Sequence, residues 1–475
     1  MDSQWRLSEF DALVEFGKKS LVPLGFGTLL ADGSIDSSSG AQLWINCRMT
    51  HIFCLDYLRG DTSARPYAEH GINALLRYFR DAKSGGFFAI LTPEGIPMGE
   101  AGARKEGYAH AFVLLAASSG LQAGIAHSQE LFDAAASAHN SYFWESEAGL
   151  VREAWDRDFT QTENYRGINA NMHTVEALLA AWDATHDSLW LDHAASIIAF
   201  VLSHAPQLGY RIGEHYSASW EFLPDFNRDR PADPFRPFGV TPGHGIEWAR
   251  LILQYWAAVQ AIPEEHRPHA TAATLSDMPT TALTLFDRAM ADGWARDGAP
   301  GIVYTTDFSG EPIVHERMHW TVCEALAASA AFARFASRAG ADHAHAAGAD
   351  HAHARGCSTN SASAKGDGTN DADIDDDGLT GANTNGDDGT KGSSSDTDMS
   401  NIEERMRATW ADLATYVRTH VIESRGRWYH ELDRANRPSG ITWPGKPDIY
   451  HAAQAMLMPD LPLTPGFAGA LAARL

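Results

Sequence analysis

Apolar residues recur along this chain at spacings of three and four, the period of a helix buried on one face. In 401–423, Ile402, Met406, Trp410, Leu413 and Val417 share such a face. Similar segments lie near 5–20, 46–59, 64–80, 105–119, 128–143, 169–185, 189–204, 242–259, 279–292, 315–337 and 447–457, which makes twelve predicted helices. Strand and helix signals do not alternate, so the pattern argues against a parallel sheet. A second pattern lies between some of the helices: a glycine followed by alternating or aromatic residues. It occurs as GGFFAI (85–90), GLVREAW (149–155), GYRIGEHY (209–216), GIVYTTDF (301–308) and GRWYHELD (426–433), each after an odd-numbered helix and mostly about 60 residues apart. The repeated unit is thus two helices and a short hairpin. Six such pairs predict an all-α toroid in which every second helix lines the centre. An α-solenoid is the alternative, but its repeats are shorter and lack the hairpins.

One stretch breaks the pattern. Residues 341–353 contain ADHAH twice, and the chain from there to about Ser400 holds almost no large apolar side chain. Between 340 and 400, 12 Asp stand against Arg355, Lys365 and Lys391, a net −9 of the total −24. Such a segment buries too little apolar surface to offset its ordering entropy. It is expected to be a disordered insertion, at about 340–400, in a single domain spanning 1–475. Asp373, Asp375, Asp377 and Gly378 match the start of a calcium loop, but Thr384 stands where the bidentate Glu belongs. The four histidines from His343 to His353 offer a loose metal site at most.

Composition narrows the function classes. A hydrophobic fraction of 44% in 475 residues suits a globular protein with a full core. The net charge argues against nucleic acid and anionic membranes as partners. The start, MDSQWRLSEFDALVEF, does not read as a secretory signal, and no apolar run reaches the roughly 18 residues of a membrane span. The four cysteines, Cys47, Cys54, Cys323 and Cys357, form no CxxC pair, as expected of a reduced, cytoplasmic protein.

Polar residues crowd the even-numbered helices. Arg48 and His51 lie on the second, Tyr108 and His110 on the fourth, and Asn169, Asn171 and His173 open the sixth. His244 and Glu247 open the eighth, His319, Trp320 and Glu324 lie on the tenth, and His451 on the twelfth. In a toroid the starts of these inner helices converge on one pocket. In GVTPGHGIEWAR (239–250), Thr241 is placed to be an N-cap and Pro242 the first helical residue. His244 then falls in the first turn, where the helix dipole favours a neutral imidazole.

The stretches CRMTHIF (47–53), KEGYAHAF (105–112), NANMH (169–173), FRPFGVTPGHGIEWARL (235–251), HWTVCEAL (319–326) and KPDIYHA (446–452) resemble, in order, the N-acylglucosamine 2-epimerase superfamily. Within it, NANMH is most similar to the mannose isomerase and sulfoquinovose isomerase branch. The resemblance covers nearly the whole chain except about 340–400. It implies an (α/α)6 barrel and a cofactor-free, metal-free interconversion of an aldose with its ketose or 2-epimer. A monosaccharide, D-mannose first and D-lyxose second, is the implied substrate.

Such a reaction moves a proton from C2 to C1 through an enediol and needs a base that is neutral near pH 7. By resemblance, His451 carries that proton, and His244 assists ring opening and proton movement between the oxygens. Glu247 is expected to orient His244 or bind a hydroxyl, and the glycines beside His244 to leave room for the sugar. Arg48 would donate hydrogen bonds to the enediolate oxygen. His173, Tyr108, Asn169, Arg236 and Glu324 are implied as hydroxyl-binding residues, and Trp320 as an apolar wall. Arg48 and Arg236 would also serve a sulfonated sugar. A competing motif, HERMH (315–319), is a literal HExxH, which on a helix marks a zinc protease. It has no HxxGxxH continuation, and Glu324 follows His319 too closely to be the third ligand.

Overall fold

The computed structural model describes residues 1–356 and 394–475, except for the side chains of 340–356 and 394–397. Among the described residues fourteen helices occur: α1 (Ser3–Gly17), α2 (Leu43–Leu58), α3 (Arg65–Ala74), α4 (Gly99–Ala103), α5 (Gly107–Gln122), α6 (Ser128–Ala138), α7 (Ile168–Thr185), α8 (Ser188–His204), α9 (Pro242–Gln260), α10 (Met278–Gly293), α11 (His319–Gly356), α12 (Ser394–Tyr416), α13 (Tyr450–Leu457) and α14 (Phe467–Ala472). The twelve expected helices are all present. The two additions, α4 and α14, are too short to show a period.

Six pairs form an (α/α)6 barrel, with α2, α5, α7, α9, α11 and α13 inside. The inner helices α2 and α9 are buried on every face: all of α2 except Tyr57, and all of α9 except Trp256 and Gln260. Neighbouring inner helices pack directly, α2 on α5, α5 on α7 and α7 on α9, with α13 against α2. The outer helices α3, α6 and α12 each run into one wide turn, at 75–79, 139–143 and 417–421, and the chain then enters a hairpin.

Two-residue strands set the inner helices in place. Ala41–Gln42, just before α2, pairs antiparallel with Ile90–Leu91, and Lys105–Glu106, before α5, pairs with Ala154–Trp155. Arg166–Gly167, before α7, pairs with His215–Tyr216, and Arg317–Met318, before α11, with Glu431–Leu432. Val240, before α9, makes a single bridge to Thr306. The Lys446 N–H before α13 donates to the Leu29 carbonyl (2.9 Å), which joins the last repeat to the first. The start of each inner helix is thereby tied to the next repeat, so all six starts share one end of the barrel. That common end is what the glycine-led hairpins encode.

Residues Met1–Phe332 and Met406–Leu475, which carry the barrel, form one compact unit, and Ala333–Arg405 form a second. Helix α11 runs on to Gly356 and α12 begins at Ser394, so both ends of the segment expected to be a disordered loop are helical. The alanine-rich run AHAAGADHAHA explains the first of these. The candidate calcium loop at 373–384 lies outside the described residues, and the histidines from His343 to His353 lie where only the backbone is described. Cys47, Cys54 and Cys323 are free and buried. No helix of the described residues is long and apolar enough to cross a membrane.

Candidate active site

The first turns of the inner helices enclose a cavity of about 630 Å³, its mouth included. Its wall carries Trp44 from α2, Tyr108 from α5, Asn169 from α7, His244 from α9, His319 and Trp320 from α11 and His451 from α13. One turn deeper lie Arg48, His173 and Glu247. At the mouth, the exposed ring of Phe235 stands 4.9 Å from that of Trp443.

Two histidines meet this cavity with a carboxylate behind them. His244 Nδ1 lies 3.0 Å from both oxygens of Glu214, which is 4% exposed. Glu214 also accepts from the backbone N–H of Thr241 (3.4 Å). Thr241 is the N-cap residue and Pro242 the first helical residue, as expected, but the Thr241 hydroxyl makes no cap bond. Glu214 sits in GYRIGEHY, anchored by the strand that follows it. His451 Nδ1 lies 2.9 Å from Glu324 Oε1, and Glu324 Oε2 accepts from Arg250 Nε (2.9 Å). In each ring the Nδ1 contact leaves Nε2 for the cavity. The indole of Trp320 packs against both rings, 5.1 Å from His244 and 5.9 Å from His451.

Arg48 is held from two sides. Its guanidinium donates to Tyr108 Oη (2.8 Å) and to Asp448 Oδ2 (3.3 Å) and lies 4.4 Å above the Phe112 ring. Asp448 also accepts from the N–H of Tyr450, the first residue of α13 (2.9 Å). His173 donates to Glu176 (3.3 Å), which also accepts from Tyr450 Oη (2.5 Å) and Gln454 (3.2 Å). Burial holds the His173 ring down to about 4 against the pull of Glu176, so it is neutral near pH 7.

Three buried carboxyls, Glu176, Glu247 and Glu324, share the single positive charge of Arg250. Burial, then the charge of Glu324, pushes Glu247 well above the usual carboxylate range, and Arg250 opposes this. Burial also works against the Glu324 anion, but Arg250 and His451 together hold that group below its usual range. Glu247 is therefore the one that keeps a proton, and its Oε2 has no hydrogen-bond partner. His173, Glu176 and Glu247 offer ligand atoms within 4.8 Å of one another, the only such trio among the described residues. The His173–Glu176 hydrogen bond and the proton on Glu247 occupy much of their donor capacity.

Several expectations need correction. Glu247 does not orient His244. It faces Arg250 (3.5 Å) and His173 (3.8 Å), because the His244 Nδ1 turns to the hairpin instead. Glu324 stands behind His451 and does not line the cavity. Arg236 lies on a neighbouring cavity, clamped by Glu163 (2.8 Å) and Glu153 (3.2 Å). The glycine beside His244 makes room for tryptophan: a Cβ on Gly243 would lie 2.6 Å from the Trp320 ring. His51 and His110 are structural, the first bonded to Ser119 (2.7 Å), the second to backbone groups of Glu106 and Phe87. Asn171 likewise clamps the Val151 backbone (3.0 Å). HERMH is no zinc site: residues 315–318 precede the helix, and His315 pairs with Asp297 (2.8 Å). The sequence reading missed Glu214, Asp448 and Arg250. For Asp448 a signal existed, since an Asp just ahead of an apolar helix start is placed to accept from the first helical N–H groups.

The family model described as N-acylglucosamine 2-epimerase (GlcNAc 2-epimerase) matches residues 25–356 and 392–455. The chain is 37% identical over 471 residues to a D-mannose isomerase of Thermobifida fusca, covering 98% of this chain and 96% of that one. It is 36% identical over 471 residues to a D-mannose isomerase of Pseudomonas cannabina pv. alisalensis, covering 99% and 95%. A crystal structure of D-mannose isomerase superposes with a TM-score of 0.72 at 22% identity, over 96% of this chain and 97% of the other, a likeness of fold.

Proposed function

This chain belongs to the N-acylglucosamine 2-epimerase family, and from that premise we propose that it is a sugar isomerase that converts D-mannose to D-fructose without a cofactor. The observation that carries this reading is the pair of histidine–carboxylate couples, His244–Glu214 and His451–Glu324, at one cavity, with Trp320 packed against both imidazoles. Aldose–ketose exchange needs two proton movements, one between carbons and one between oxygens. His451 takes the proton from C2 and returns it to C1. His244 helps to open the ring and moves a proton from O2 to O1. The carboxylate behind each ring fixes the tautomer and stabilises the imidazolium that forms in passing. Arg48, steadied by Asp448 and Tyr108, donates to the oxygen that carries the enediolate charge. Glu247, protonated, and Asn169, with a free buried Oδ1, bind hydroxyls. Trp320 forms the apolar wall.

A neutral sugar suits the charge balance. Arg236, which the sequence offers to a sulfonate, is already matched by Glu163 and Glu153, and Arg48 by Asp448. Three free, buried cysteines support a reducing, cytoplasmic setting. The test is incubation with D-mannose, D-lyxose, D-glucose, N-acetyl-D-glucosamine and sulfoquinovose, with chromatography of the products. Fructose from mannose is the expected result. Glucose as the main product from mannose would identify a 2-epimerase, in which the proton returns to the other face of C2. Turnover of sulfoquinovose alone would overturn the assignment.

A further inference from the structure

Five histidines line the cavity, and the proposed chemistry employs His244 and His451 as proton carriers, with His173 at the floor. His319 and His430 have no part in it. They stack on each other, ring centres 3.8 Å apart and 25° from parallel. The first residue of α11, His319, is 7% exposed, and its Nδ1 faces the His430 carbonyl at 3.4 Å. A carbonyl only accepts, so Nδ1 carries the hydrogen and Nε2 the lone pair. That Nε2 is buried with no hydrogen-bond partner. Burial, then the neighbouring His451, holds the His319 ring down to about 3, and burial and His319 hold His430 well below its usual value. Near neutral pH the pair offers the cavity an uncharged acceptor on a rigid, stacked support. Buried acceptors are rarely left unpaired, and this one belongs to a residue that lines the cavity.

We infer that His319 Nε2 accepts a hydrogen bond from one hydroxyl of the bound sugar outside the C1–C2 unit, and thereby selects among aldoses. The inference rests on the isomerase reading above. The C1–C2 unit is already served by His451, His244 and Arg48. The His319 ring stands edge-on to that of His451 with centres 6.5 Å apart, a separation suited to a hydroxyl further along the chain. A site built to bond a hydroxyl discriminates strongly against analogues that lack it, because its own polar atom is then left unpaired.

The test compares kcat/KM of wild type and His319→Phe on D-mannose and on its 3-, 4- and 6-deoxy derivatives. Phe keeps a stacking ring and removes the acceptor. On mannose the variant is expected to lose on the order of 10- to 100-fold, mainly through KM, and equally at pH 6 and pH 8. Wild type is expected to lose a similar factor on one deoxy sugar. On that sugar alone the variant and wild type converge to within about threefold, the non-additivity of two changes that remove one bond. Equal loss on every sugar, or no loss on mannose, would overturn the inference. If the Phe variant does not fold, His319→Met takes its place. If wild type forms no fructose from mannose, the functional reading fails, and the same series is run on the deoxy derivatives of whichever aldose it does convert.

Discussion

Replacing Glu214 with Gln keeps the shape of the side chain and removes its charge. Both carboxylate oxygens stand 3.0 Å from His244 Nδ1, in a pocket that leaves the residue 4% exposed, so little water is present to compensate. A hydrogen bond to a charged group is worth about 1.5–3 kcal/mol and one between neutral groups about 0.5–1.5. If the Gln amide oxygen still accepts from Nδ1, the imidazolium that forms during turnover loses about 1–1.5 kcal/mol, close to tenfold in rate. If the amide NH2 turns to Nδ1 instead, the tautomer inverts. Nε2 then holds a hydrogen where it needs a lone pair, and the loss approaches the ~10⁴ seen when a catalytic-triad Asp becomes Asn. The expected result is a fall in kcat between these bounds with little change in KM, measured as fructose formed from mannose. A melting temperature close to wild type's would show that the fold is intact. A folded Glu214→Gln enzyme within twofold of wild type would refute the coupling of Glu214 to His244.

Arg48→Ala is expected to lower kcat by on the order of 10²–10³, the range for removing one donor to a developing oxyanion, as steady-state kinetics would show. Stability is expected to fall as pH drops from about 6.5 towards 5. The folded rings of His51, His173 and His193 are held by burial to about 4, and those of His110 and His139 to about 3, so over this window the unfolded chain binds protons that the folded one does not. Each such ring adds up to about 1.4 kcal/mol per pH unit, opposed by Asp56, raised by burial to about 7, and Asp183, raised by burial to about 6. A flat or rising melting temperature across that window would contradict the sign. We propose that residues 341–398 are an insertion without a catalytic role. Deleting them with a short linker is expected to leave melting temperature and turnover within about twofold, and a large loss of kcat in a folded deletion variant would show otherwise.

The helices were legible because each outer helix carries one apolar stripe, as at Ile402, Met406, Trp410, Leu413 and Val417. The hairpins were legible as glycine-led returns. Together they placed the starts of the inner helices side by side, and so brought Arg48, Tyr108, Asn169, His173, His244 and His451 to one cavity. Side-chain direction was not legible. Glu247 follows His244 by three residues, which suggests contact, yet the partner of His244 comes from a hairpin 30 positions earlier. Arg236 lies in a matching motif, but its fate was set by two carboxylates 73 and 83 residues away. Gly243 beside a histidine reads as space for a ligand, and it is space for an indole from another helix. In each case the deciding partner is distant in sequence, and neither period nor spacing carries that information.

The claim on which everything else turns is that His451 carries the proton between C2 and C1. Mannose incubated in D₂O with wild type and with His451→Ala, followed by proton NMR, tests it directly. Wild type is expected to form fructose and to place some deuterium in the recovered sugar, with internal proton transfer keeping that incorporation low. His451→Ala, still folded, is expected to lose both net conversion and exchange by on the order of 10²–10⁴-fold or more, because the proposed mechanism assigns the C2 proton to no other group. Conversion by His451→Ala at near the wild-type rate would show that another residue is the base.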